Sequence, residues 1–367
     1  MEKRKLLKKL YTDSNAESIV FTHADKVWVM LSDAIEGAMD MYQPASRGGK
    51  MLKKSVIKKH KAPFYARGAK VEKKNISISP AIKKQLEDIL EISDFYVAAY
   101  MGDTSTPQND KAVLQIYSDS EIYAYVKVTT NEENVKRFDK ESKAINRLRD
   151  LGIECVPRVI GLDLDSEVKM FAQVNEKPMG QEVRLEFNEQ ILETIKEIVE
   201  KTKKDIVYKD SDFYKCVEEL KKQLEIFDEE QQSIIKDAID MVEAADLTFA
   251  FSHGDYTPWN VYYVKDEMRL FDLEYCSDSM PAYIDIFHYL SQMMLLGNRY
   301  TAQCVMREYE HQLELISEYV DNPKITFICY LVWIISFYIK RTSDIEIVRE
   351  KLDVWVEMLE YLIKYLK

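Results

Sequence analysis

The residues best suited to chemistry lie between Phe251 and Asp285. His253-Gly254-Asp255-Tyr256-Thr257-Pro258-Trp259-Asn260 comes first, a short apolar run ends in Phe271-Asp272-Leu273-Glu274, and Pro281-Ala282-Tyr283-Ile284-Asp285 closes the block. Phosphoryl transfer asks little covalent chemistry of a protein. It needs a carboxylate to orient the attacking hydroxyl and oxygen ligands for magnesium. Asp255 suits the first task, and Asn260 with Asp272 the second.

The elements that must position these groups are short. The apolar run Asn260 to Val264, the turn Lys265-Asp266-Glu267 and the run Met268 to Leu273 predict a β-hairpin following a catalytic loop. Such a hairpin carries Asn260 and Asp272 on adjacent strands, where they can share one ion. Magnesium favours this, because it takes few protein oxygens and keeps the rest for water and phosphate. Read singly, His-Gly-Asp is a turn and Asp-Leu-Glu an exposed strand end. The ordered combination at this spacing is what favours a site.

The block resembles the aminoglycoside phosphotransferase and choline kinase family. The resemblance implies a protein-kinase-like α+β fold with a β-rich N-lobe and a mainly helical C-lobe, and ATP or GTP with Mg2+ as phosphoryl donor. The acceptor it implies is a hydroxyl of a small molecule. By resemblance Asp255 is the catalytic base, Asn260 and Asp272 hold magnesium, and Glu274 is a second acid near the metal. Asp285 would brace the catalytic loop by hydrogen bonds rather than touch substrate.

Upstream, Phe95 to Tyr100, Ala112 to Tyr117 and Ile122 to Val128 read as three β-strands. The loop after the first, around Thr104, Ser105 and Thr106, falls where this fold covers the nucleotide phosphates. Its amides and hydroxyls could make that contact. It holds one glycine and so departs from the family's glycine-rich pattern. Lys127 sits among apolar neighbours in the third strand and needs an anionic partner. The resemblance makes it a phosphate ligand held by Glu141 from the amphipathic helix Val135 to Leu151; the plainer alternative is a lysine snorkelling from an edge strand. Arg158 to Leu162 and Lys169 to Val174 complete the small sheet, and the backbone of Gln173, Val174 and Asn175 would meet the adenine edge.

After Gly180 the periodicity turns helical: Asn188 to Lys203, Asp212 to Phe227, Glu229 to Ala244, and beyond the motif block Ile284 to Leu296, Tyr300 to Tyr319, Lys324 to Ile339 and Ile345 to Tyr365. Strand-rich then helix-rich order divides the chain into an N-lobe over 91–175 and a C-lobe over 176–367. Aromatics such as Tyr289, Tyr300, Trp333, Phe337 and Trp355 read as core, with an acceptor-pocket lining as the alternative. His288 reads as a satisfied core histidine.

Residues 1–90 lie outside the resemblance and form a basic extension. Ile19 to Met30 suggests a hairpin, Gln43 to Gly49 a breaker, and Met51 to Lys59 a helix with one lysine-rich face. That face could rest on an anionic membrane surface or dock beside the catalytic unit, a solvated face being the plain reading. Ser79-Pro80 opens a helix running to Ile92. Tyr42-Gln43-Pro44-Ala45-Ser46 before the basic helix resembles leaders of kinase-like proteins associated with bacterial surface polysaccharide, which would make the acceptor a surface-saccharide precursor.

Composition sets the outer bounds. The 367 residues suffice for two or three units with a large core, and 46% hydrophobic content excludes a disordered chain. The net charge is −12, with the first 80 residues basic and the remainder strongly acidic. An acidic body argues against nucleic acid as partner and suits a neutral or cationic small substrate. No run approaches a membrane span or a secretion signal, and five scattered cysteines suit reduced thiols, so a cytoplasmic protein is expected. The reading from a different class is a catalytically inactive kinase-like binding or scaffold protein.

Overall fold

The computed structural model describes residues 5–44, 46–64, 66–102, 110–297, 299–342 and 344–364. They divide into two units, Met1–Val183 with Tyr262–Glu274, and Arg184–Val261 with Tyr275–Lys367. The first opens with α1 (Lys5–Leu10), β1 (Tyr11–His23), β2 (Lys26–Leu31), α2 (Ile35–Ala38), α3 (Arg47–Lys59), β3 (Lys70–Ile78) and α4 (Pro80–Leu90). It continues with β4 (Tyr96–Met101), β5 (Lys111–Tyr117), β6 (Ile122–Thr129), α5 (Glu132–Asp150), β7 (Val159–Asp163) and β8 (Lys169–Val174). All eight strands join one sheet in the order β3-β1-β2-β4-β5-β6-β8-β7, each neighbouring pair antiparallel.

Alternation along the strands decides what each face carries. Val29, Ala99, Leu114, Val126 and Ala172 are successive cross-strand partners. They share a buried layer with Leu6 and Leu10 of α1 and Ile82, Leu86 and Leu90 of α4. The next row, Trp28, Tyr100, Val113, Lys127 and Phe171, therefore points to the opposite face. On that side Phe21, Trp28, Met30 and Tyr117 pack with Ile35, Ala38, Leu52 and Val56 from α2 and α3. Each large side chain buried this way contributes about 1.5–3 kcal/mol.

Residues 1–90, read from the sequence as an extension, thus supply three strands of the same sheet. The hairpin expected over Ile19 to Met30 forms between β1 and β2. The helix expected after Ser79 forms as α4, with Ser79 Oγ accepting from Ile82 N at 3.4 Å. No local apolar pattern in the sequence marks the long polar start of β1 or the whole of β3, Lys-Val-Glu-Lys-Lys-Asn-Ile-Ser-Ile. β3 is an edge strand whose exposed side chains are lysines and an asparagine, so it lacks the apolar run that marks a central strand.

The chain goes on with α6 (Glu189–Thr202), α7 (Asp212–Lys221), α8 (Glu229–Glu243) and β9 (Phe249–Ser252), then β10 (Val261–Val264), β11 (Glu267–Leu270) and β12 (Ser277–Pro281). It ends with α9 (Ile284–Leu296), α10 (Ala302–Ser317), α11 (Pro323–Arg341) and α12 (Arg349–Lys364). β10 and β11 form the expected hairpin, which belongs from Tyr262 onward to the sheet unit, where Leu270 N donates to Cys155 O at 2.6 Å. Among its described residues the second unit is helical apart from the pair β9 and β12 and a single bridge between Lys204 and Phe249. Its central helix, α11, is apolar on nearly every side because α7, α8, α9 and α12 surround it. Among the described residues α11 is the one helix long and apolar enough to cross a membrane, and 67% of that stretch is buried inside the protein. The cysteines are all free, and burial pushes the Cys216 thiol up to about 11.

Candidate active site

In the sheet unit, Lys127 does not snorkel to an edge. β6 lies between β5 and β8, and the lysine is buried with 6% exposure. Its Nζ lies 2.9 and 2.7 Å from the two oxygens of Glu141 and 2.5 Å from Asp272 Oδ1. Burial alone would pull the ammonium down, but Asp272 and Glu141 outweigh it and hold the group above the ordinary lysine value. Glu141 is fully buried on α5, and one of its oxygens also accepts from Leu273 N at 3.0 Å. The carboxylate on α5 is thereby fixed to both the lysine and the chain beside Asp272.

Asp272 follows β11 in the left-handed region, with φ +67, and its side chain keeps 30% exposure. The expectation that Asn260 and Asp272 sit on the hairpin strands is corrected. Asn260 ends a 3₁₀ turn, Pro258–Asn260, before β10, and Asp272 stands beyond the end of β11. Glu274 pairs with Lys111, the first residue of β5. Gln173 is 5% exposed and reaches Glu141 Oε1 at 3.4 Å. Val174 N donates to Arg158 O at 2.9 Å and Asn175 N to Tyr123 O at 3.1 Å, so both amides are committed within the protein. Thr104, Ser105 and Thr106 lie outside the described residues.

In the helical unit, β9 runs into a loop held by the helix that follows β12. Gly254 has φ +74, and a Cβ there would stand 2.3 Å from Tyr275 O, so only glycine allows the approach. Asp285, in the first turn of α9, accepts from Ser252 Oγ at 3.0 Å, His253 N at 2.8 Å and Gly254 N at 3.2 Å. This is the bracing contact expected of it. Asp255 Oδ2 accepts from Asn260 Nδ2 at 2.9 Å, and the same nitrogen donates to Asp255 O at 2.9 Å. With the amide nitrogen used twice, the Asn260 oxygen has no protein partner among the described residues.

A carboxylate such as that of Asp272 and an amide oxygen such as that of Asn260 are each hard donors of the kind magnesium takes. Among the described residues no group of three or more His, Cys, Asp or Glu side chains converges as a metal cage.

No protein-family model and no curated protein sequence matches the chain. Solved structures do. A Thermobifida fusca protein provisionally assigned as a fructosamine-3-kinase aligns with a TM-score of 0.50 at 12% identity, over 77% of this chain and 99% of that one. The fold is protein-kinase-like. An aminoglycoside phosphotransferase solved with ADP and hygromycin B aligns at 0.49 and 8% identity, over 77% and 98% of the two chains. A choline/ethanolamine kinase family protein from Mesorhizobium loti aligns at 0.47 and 13%, over 78% and 95%.

Sequence reasoning missed His288. It is a core residue, 4% exposed, but only half satisfied: Nε2 lies 3.4 Å from Asp255 Oδ1, while Nδ1 is buried with no hydrogen-bond partner among the described residues. Its position three residues after Asp285, one turn along the bracing helix, was the available signal. Lys111 was also missed; a basic residue directly after the loop expected over the phosphates was the clue.

Proposed function

We propose that the protein is a small-molecule kinase that moves the γ-phosphoryl group of ATP or GTP to a hydroxyl of a sugar, amino sugar, amino alcohol or similar metabolite, a surface-saccharide precursor among them. The observation that carries this reading is the buried Lys127, charged and held by Glu141 while also meeting Asp272. Burying an ion pair at this cost in desolvation is poor design for stability alone. It is good design for fixing a cation where phosphate oxygens arrive.

In this reading Lys127 binds phosphate, Asp272 and the Asn260 oxygen hold magnesium, and Glu274 stands behind them with Lys111 as its partner. Ser105, Thr106 and the backbone of Gln173 to Asn175 belong to the nucleotide's surroundings. Asp255, pinned through one oxygen by Asn260, orients the acceptor hydroxyl. Residues 91–175 serve the nucleotide, residues 176–367 the transfer, and residues 1–90 widen the sheet.

The committed amides of Val174 and Asn175 favour a second reading, a kinase-like binding or scaffold protein without transfer. Melting curves with ATP and GTP, with and without magnesium, separate the two. Magnesium-dependent stabilisation of the wild type that is lost in Asp272→Ala supports the kinase; no stabilisation by either nucleotide counts against it. A screen of hydroxylated metabolites for nucleotide consumption then finds the acceptor.

A further inference from the structure

Arg341 closes α11 with its guanidinium carbon 4.4 Å from the centroid of the Tyr275 ring and 4.8 Å from that of Phe337. The two rings meet edge to face at 5.4 Å. Its Nη2 donates to Tyr275 Oη at 2.7 Å, the side chain is half-buried, and among the described residues it has no carboxylate partner. Lys111, Lys127, Arg269 and Arg349 each meet a carboxylate. The remaining N–H donors of Arg341 form a planar fork, partly dried by two rings, of the shape that takes a carboxylate or phosphate. Complementing the helix C-terminus does not account for the stacking, since Lys340, exposed in the same turn, supplies that charge.

The same residues lead back to Asp255. The loop touches Tyr275 at Gly254. Trp333, Phe337 and Arg341 recur every four residues and share one face of α11. The Trp333 ring lies 5.4 Å from Phe337 and 5.6 Å from His288, which reaches Asp255 at 3.4 Å. A chain of ring contacts thus links, within one unit, the proposed hydroxyl-orienting carboxylate to a cation with no carboxylate partner among the described residues.

We propose that Arg341 is an oxyanion subsite for the acceptor, which is a small hydroxylated ring bearing a carboxylate or a phosphate group. The inference rests on the phosphotransferase reading. In the transfer, the acceptor oxygen bonds to the γ-phosphorus, the bond from that phosphorus to the β–γ bridging oxygen breaks, the hydroxyl proton passes to Asp255, and the nucleoside diphosphate leaves. An acidic chain repels an anion at long range, so such an acceptor needs a fixed cation at its site.

The test is a panel of matched sugars, glucose, glucuronate and glucose 6-phosphate with the corresponding galactose set, assayed for nucleotide consumption above the acceptor-free rate. The expected result is kcat/KM at least ~10-fold higher for an anionic member than for its neutral match, the carboxylate and phosphate arms showing which oxyanion fits. Arg341→Lys keeps the charge but not the fork, and should cut that ratio ~10-fold through KM; Arg341→Gln should remove the preference. An Arg341 that only clamps Tyr275 would lower stability and slow every acceptor alike, leaving the ratio unchanged, and that result overturns the inference. So does a panel in which no anionic member exceeds the acceptor-free rate while that rate is measurable. A wild type with no magnesium-dependent nucleotide turnover at all sinks the phosphotransferase reading and this inference with it.

Discussion

His288 Nε2 lies 3.4 Å from Asp255 Oδ1, and Asn260 Nδ2 lies 2.9 Å from Asp255 Oδ2. The carboxylate is held at both oxygens by side chains from different elements. The histidine contact is long, as catalytic hydrogen bonds often are before substrate arrives. If Nε2–H donates, the imidazole aims Asp255 and its Nδ1 lone pair is left against Tyr330 and Trp333. His288→Leu should therefore lower kcat ~10-fold or more with nucleotide KM little changed, and His288→Gln, which restores an N–H, should recover part of the loss. Equal kcat in the leucine and glutamine variants would rule out the hydrogen bond as the cause.

Asp255→Asn keeps the size of the side chain and removes its charge. Turnover should fall ~100-fold or more while magnesium-nucleotide binding survives. Single-turnover transfer and a melting curve on the same sample separate this from a structural role, which would show as lost stability with transfer retained. Until an acceptor is found, slow hydrolysis of the nucleotide by water is the readout.

Lys127→Ala should destabilise the protein as well as weaken nucleotide binding. Glu141 is 0% exposed and tied to Leu273 N, so it cannot turn to water when its partner goes. A lone buried carboxylate costs about 3–5 kcal/mol. Lys127→Met combined with Glu141→Gln should restore most of that stability and none of the nucleotide binding. Denaturant midpoints and calorimetry on both proteins give the comparison.

Gly254→Ala places a methyl group 2.3 Å from Tyr275 O in a backbone with φ +74. The left-handed conformation alone costs about 1–2 kcal/mol, and the clash with backbone adds to it. The expected outcome is a lower melting temperature and loss of turnover together. Asp285→Asn acts on the same loop more gently, by weakening three hydrogen bonds to a buried carboxylate. It should cost roughly 1.5–3 kcal/mol for the charged acceptor.

The motif block was legible because its ordered spacing resembles a family pattern, which takes in even Asp285 with donors 31 to 33 residues away, and because Asn260 follows by five residues the carboxylate it holds. Lys127 and Glu141 were legible for a different reason, since a lysine in an apolar strand demands a partner. Lys111, His288 and Arg341 were not. Their partners Glu274, Asp255 and Tyr275 are 163, 33 and 66 residues away, and no local pattern encodes such pairings. The eight-stranded sheet was hidden in the same way, because β3 pairs with β1 across the whole of α2 and α3 and shows only its polar edge in the sequence.

That edge has a bearing on how the chain can be cut. Among the described residues the sheet ends at β3, where Lys70, Lys73 and Lys74 guard the edge against strand addition by other molecules. A fragment beginning at residue 91 would lose β1, β2 and β3 and present β4, Tyr-Val-Ala-Ala-Tyr-Met, as its new border. β4 carries no charge to repel a second copy, so the shortened protein becomes its own template for edge-to-edge aggregation. Residues 1–90 are in this sense a cover for the edge of the sheet, and trimming the chain to its motif-bearing part removes that cover.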